Sequence, residues 1–151
     1  VEDGVDILLI ETMGRIDEAR CALRSVAKHS IDKWVSFILK DSCMILDGSE
    51  LREASTIATA EGASAVLINC SRLTTAVKAM DILAEVTALP VGLYPNMGRS
   101  MPSQDGTIES FFTLAEFNKA MVLAISKGAK IIGSCCGSGP EHTAVLKKMM
   151  V

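Results

Sequence analysis

The sequence predicts an α/β fold of parallel strands, laid out as about five consecutive βα units. Three observations predict it. Five apolar runs rich in β-branched residues recur along the 151 residues. They are near-continuous, as strands covered on both faces are, and do not alternate strictly. An amphipathic helical pattern follows each run, and each unit has the roughly 30-residue length of a strand with its crossover helix.

The first strand is "VDILLIET" from Val5, followed by "RIDEARCALRSVAKHS", where Ile16, Ala19, Leu23 and Val26 share one face. "WVSFIL" from Trp34 leads to "GSELREASTIATAEGA", with Ser49 as the expected N-cap and Gly62 as the stop. "SAVLINC" from Ser64 leads to "RLTTAVKAMDILAEV", whose apolar face carries Leu73, Val77, Met80, Ile82 and Leu83. "PVGLYPN" from Pro90 precedes "TLAEFNKAMVLAISKGA", where Thr113 and Glu116 have capping-box spacing and Gly128 ends the helix. "KIIGSCC" from Lys130 precedes "PEHTAVLKKMM", with Pro140 at the first helical position.

Alternating strands and helices give a parallel sheet with right-handed crossovers. Two architectures satisfy this pattern: a doubly wound open sheet, or part of a (β/α)8 barrel. A complete barrel needs about 250 residues, so five units make a partial barrel of about five-eighths. The least patterned stretch, residues 96–112, follows the fourth strand, on the side where such folds keep their chemistry. No linker interrupts the chain, so residues 1–151 read as one domain.

The net charge of −3 and an aromatic content of 4% argue against a nucleic-acid partner. No apolar run approaches the roughly 18 residues of a membrane span. No basic-then-apolar leader is visible, and the cysteine count, five, is odd. Both point to reduced thiols and a cytoplasmic location instead of a disulfide framework. The chain opens "VEDGVDILLIE" without Met, which reads as a start inside a longer protein.

The chemistry concentrates in the cysteines. Cys70 closes the third strand in "LINCSR"; Cys135 and Cys136 close the fifth in "IIGSCCGSGPEH". Parallel strands end on one rim, so the three sulfurs meet if the sheet curves enough. Three thiolates suit zinc and leave a fourth tetrahedral position open, as catalytic sites do. Gly133 and Gly137 would let the backbone bend around the pair. Two other readings stay open: buried core thiols, and a phosphate cradle at the last helix, although the cradle lacks a P-loop lysine. Cys21 reads as core, Cys43 as a stray loop thiol, and His142 as a capping or surface group.

In that order and spacing, "ILLIET", "LINC", "GLYPNMG" and "IIGSCCGSGPEH" resemble the carboxyl-terminal part of the homocysteine S-methyltransferase family. The resemblance implies the last five units of a zinc-bearing (β/α)8 barrel, with Cys70, Cys135 and Cys136 as the Zn2+ ligands. It implies methyl transfer to the thiol of homocysteine, giving methionine. The donor would be S-methylmethionine, S-adenosylmethionine, betaine or a methylfolate. Glu11, at the first strand's end, would hold the substrate's amino group, and Asn96, in "YPNMG", would orient substrate or the metal loop. A turn role for Asn96 is equally open.

The chain departs from the family pattern twice. Ser134 stands where the family has a second glycine, and the first three βα units are missing. Five units would leave a lumen face and two strand edges uncovered. A missing amino-terminal segment or a second copy is therefore expected to cover them. The alternative to an enzyme is a non-catalytic fragment that binds zinc or complements a partner.

Overall fold

A computed structural model describes residues 4–99 and 108–149. Residues 100–107, most of the stretch singled out after the fourth strand, lie outside the described residues. The elements are β1 (Ile7–Met13), α1 (Ile16–Ser25), β2 (Asp32–Phe37), α2 (Leu51–Ala60), β3 (Ala65–Arg72), α3 (Leu73–Val86), β4 (Val91–Asn96), α4 (Leu114–Ser126), β5 (Ile131–Ile132) and α5 (Pro140–Met149).

All four strand pairings are parallel, and the strand order is β1-β2-β3-β4-β5. That order decides between the two architectures. A doubly wound sheet reverses its strand order at a switch point. Here each strand lies beside the next in sequence, so the five units wind one way, as part of a (β/α)8 barrel.

Register divides the sheet into two faces. Ile10, Val35, Val66 and Val91 align across β1 to β4, and Phe37, Ile68, Leu93 and Ile132 align across β2 to β5. These rows face the helices and pack with Leu23 of α1, Leu51 of α2, Met80 of α3 and Phe117 of α4. The opposite rows carry Leu9, Trp34 and Ala65, then Ser36, Leu67, Gly92 and Ile131. That second face is the lumen side. It stays open at β1, where Ile7 and Leu9 are 36% and 45% exposed.

Several local expectations shift. Thr113 forms the full capping box with Glu116, and Pro140 opens α5 as expected. The N-cap of α2 is Glu50, without a side-chain cap, so Ser49 does not serve. α1 stops at Ser25 and leaves Val26 as its C-cap. The segment between β2 and α2 folds into a small turn closed by the Leu39–Ile45 and Met44–Glu50 bridges. Ile45 and Cys43 are buried there, so Cys43 is a core thiol and not a stray one. Cys21 is exposed, contrary to the core reading.

Candidate metal centre

Two breaks in the sheet build the rim. The β3–β4 register shifts between Asn69 and Arg72, and Cys70 sits in that shift with φ +46°. The β1–β2 register shifts between Ile10 and Met13, and Thr12 sits there with φ +63°. Left-handed backbone costs a residue with a Cβ about 1–3 kcal/mol, and such strain concentrates at functional sites. The break takes Cys70 off the helix-facing row of Val66 and Ile68 and onto the rim.

Buried polar groups hold the strained turn. The Asn96 amide, 1% exposed, donates from Nδ2 to the Cys70 carbonyl at 2.6 Å. Its Oδ1 accepts from the Gly98 N–H at 3.1 Å. The two hydrogen bonds match both roles left open for Asn96: one braces the Cys70 turn, and the other, to a backbone N–H two residues on, closes a local turn. On the other side, Ser71 donates to the Asn69 carbonyl at 3.0 Å and accepts from the Leu39 N–H at 2.8 Å.

The vicinal pair is fastened to the end of β4. Gly133 N–H donates to the Leu93 carbonyl at 2.9 Å, and Cys135 N–H to the Pro95 carbonyl at 3.0 Å. Met97 N–H donates to the Cys136 carbonyl at 2.9 Å. β5 is only two residues long, Ile131–Ile132, and the chain turns at Cys136 and Gly137. The two glycines serve different ends. Gly137 has φ +77°, a true left-handed turn. Gly133 is needed for space, since a Cβ there would lie 2.8 Å from Cβ of Tyr94.

These supports bring three sulfurs together from positions up to 66 residues apart. Cys70 Sγ lies 3.5 Å from Cys136 Sγ, which lies 3.8 Å from Cys135 Sγ. All three lie within 4.8 Å of one another. Zinc–sulfur bonds of about 2.3 Å in a tetrahedron place ligand sulfurs about 3.8 Å apart. The trio fits a metal, and its soft donors suit zinc. The Cys70 hydrogen bond draws the Cys135 thiol down to about 6, against its burial. The same bond to Cys135, with burial, pushes the Cys70 thiol far up. Cys135 thus takes thiolate character ahead of Cys70.

A polar cluster lies beside the sulfurs on the lumen side. Ser36 Oγ accepts from the Thr12 N–H at 3.0 Å and from the Tyr94 hydroxyl at 2.7 Å. Asn69 Nδ2 donates to Thr12 Oγ1 at 2.6 Å. Glu11, next to Thr12, is exposed and acts electrostatically on both Tyr94 and Cys135. Burial is the main cause pushing the Tyr94 phenol up; the Ser36 bond opposes it and Glu11 adds to it. Sequence reasoning missed Ser36, Asn69 and Tyr94. Faint signals existed: a serine inside "WVSFIL", and the only tyrosine in the chain.

His142 belongs to the helix rather than the metal. Its Nδ1 accepts from the Gly139 N–H at 3.0 Å, ahead of α5, and its ring meets Phe117 edge-on at 5.0 Å.

Fold and rim together define a class: a singly wound βα sheet with a metal-competent three-thiol site at the carboxyl ends of its strands. The chain belongs to the homocysteine S-methyltransferase family, whose pattern it matches over residues 1–150. It is 30% identical over 153 residues to homocysteine S-methyltransferase of Escherichia coli K12, covering 97% of this chain and 48% of that protein. It is 31% identical over 158 residues to selenocysteine Se-methyltransferase of Brassica oleracea var. italica, covering 99% and 45%. The metallated form of the homocysteine methyltransferase MmuM from Escherichia coli aligns with a TM-score of 0.79 at 27% identity, over 98% of this chain and 46% of that one. The chain therefore spans about half the length of these relatives.

Proposed function

We propose that this chain carries the thiol-activating site of a zinc-dependent methyl transfer to homocysteine, giving methionine. The observation that supports it most is the meeting of Cys70, Cys135 and Cys136 within 4.8 Å. These residues would hold zinc, which when bound keeps a coordinated thiol deprotonated at neutral pH. The methyl donor is a sulfonium or ammonium compound or a methylfolate. A carbon–sulfur bond forms to the substrate sulfur as the donor's bond to its methyl breaks, and the thiol proton leaves to solvent.

The chain's own groups supply placement. Glu11 offers a carboxylate to the substrate ammonium, a charge-assisted contact. The Ser36 and Asn69 bonds to Thr12 fix the turn that carries Glu11. Asn96 keeps Cys70 aimed at the vicinal pair through the Cys70 carbonyl. The three units expected ahead of β1 complete the barrel in this reading, and the site works in the cytoplasm, where its thiols stay reduced.

A second reading has one observation in its favour. β1 pairs only with β2 among the described residues, and its lumen side chains Ile7 and Leu9 are exposed. A zinc-binding fragment that complements a partner would have this open face.

Zinc titration of the chain, followed by homocysteine, tests the proposal. The enzyme reading expects one zinc per chain and a change at the metal when homocysteine is added. Tight zinc binding that is indifferent to homocysteine favours the fragment. Methyl transfer is then measured with and without an amino-terminal fragment supplying the three units. Activity is expected chiefly with the fragment present, and equal, high activity without it would refute the need for completion.

A further inference from the structure

We propose that His142 is a positioning residue for the metal centre, fixing the exit of the cysteine loop through the Gly139 amide. The inference rests on the three-thiol metal reading and deepens it. It names a side chain outside the ligand set that acts on the ligands.

The two ends of the loop are held differently. Its entry is fastened to the end of β4 through the Cys135 N–H and the Cys136 carbonyl. Its exit, Gly137 to Gly139, has two glycines in three residues and carries little stiffness of its own. Ser138 links this exit to the ligands. Its N–H, at 3.2 Å, and its hydroxyl both donate to the Cys135 carbonyl. The next residue, Gly139, is gripped from α5. Its N–H donates to His142 Nδ1 at 3.0 Å, and its carbonyl accepts from the His142 N–H at 3.0 Å. The second bond is backbone and survives any side chain. The first exists only with an acceptor in the place of Nδ1.

Burial of the ring is the second argument. His142 is 6% exposed and meets Phe117 of α4 edge-on. With Nδ1 accepting, Nε2 carries the ring proton. Nε2 is buried with no partner among the described residues. An unmet buried donor costs more than one such bond returns. An apolar side chain of similar volume would therefore serve packing better, and the imidazole is accounted for by its hold on Gly139. Glu141 Oε1, 3.1 Å from Nδ1, does not replace that bond. Glu141 is mostly exposed, and its carboxylate pairs with Nδ1 only through a proton for which the Gly139 N–H leaves no room.

The test compares two variants whose order packing alone would reverse. His142→Leu keeps an apolar filler and loses the acceptor. His142→Asn keeps an acceptor in the place of Nδ1 and loses the ring. Each full chain is titrated with zinc and with cobalt(II), whose absorption reports thiolate ligands, and is unfolded by denaturant without metal. His142→Leu is expected to match or exceed the parent's unfolding midpoint, yet to bind zinc about tenfold more weakly with a shifted cobalt–thiolate band. His142→Asn is expected to unfold more readily and to bind zinc about as tightly as the parent. Unchanged zinc affinity in His142→Leu, or affinity that falls in step with stability in both variants, overturns the proposal. Imidazole nitrogen shifts of the parent, at mildly alkaline pH, test it without a variant should either one misfold. A bare Nδ1 with the proton on Nε2 is expected, and a proton on Nδ1 overturns the proposal. A parent whose cobalt(II) spectrum lacks three-thiolate character sinks the metal-centre reading itself. A three-thiolate parent indifferent to the residue at position 142 sinks this inference alone.

Discussion

β3 contains both regimes of this molecule within eight residues. From Val66 to Ile68 the strand pairs with both neighbours in unbroken register, and every side chain is buried. Two residues on, Cys70 turns left-handed, the register slips, and a buried asparagine is spent on bracing one carbonyl. β1 repeats the contrast, with a regular stretch to Ile10 and then a left-handed Thr12 held from β2 and β3. The lower part of the sheet is stabilised by burial, which is non-directional and tolerant of detail. The rim spends part of that stability on placing a few atoms, as functional sites do.

Substitutions that separate the two regions test this contrast. The largest expected effect lies in the body. Phe117→Ala empties a fully buried site and is expected to cost about 3–5 kcal/mol in denaturant unfolding. If the regions are independent, the part that stays folded binds zinc within a few-fold of the parent. At the rim, Cys70→Ala is expected to lower zinc affinity by about a hundredfold or more, since even supporting residues of metal sites are worth 10–100-fold. Its unfolding midpoint without metal should move little. Asn96→Ala touches no sulfur, yet it is expected to weaken zinc by about 10- to 100-fold through loss of the Cys70 brace. An unchanged affinity would show that the strained turn holds itself. The smallest effect is expected from Thr113→Ala, which removes the α4 capping box for about 1 kcal/mol and leaves zinc binding unaltered.

The same division decides what could be read from the chain. Continuous apolar runs and helical periodicity report burial, and they located the five strands and five helices of the described residues. Capping boxes are local chemistry, so Thr113 and Pro140 were readable. Spacing and resemblance together pointed to Cys70, Cys135 and Cys136 because strand ends in a parallel sheet share a rim. The supporting network was not readable in this way. Ser36, Asn69 and Tyr94 come from three strands, and nothing local marks a residue whose partner lies 57 or 58 positions away. Gly133 shows a related limit. Its glycine was noticed, but the reason, the nearness of Tyr94, exists only in the folded sheet. Cys21 and Cys43 were exchanged for a similar reason. A helix face predicts burial only if something packs on it, and a loop predicts exposure only if it does not fold back.

Differential alkylation of the five cysteines, read by mass spectrometry with and without one equivalent of zinc, addresses the central claim most directly. Zinc is expected to protect Cys70, Cys135 and Cys136 together, while the exposed Cys21 reacts equally fast in both states. Zinc that protects the vicinal pair and leaves the Cys70 rate unchanged would contradict the three-sulfur centre.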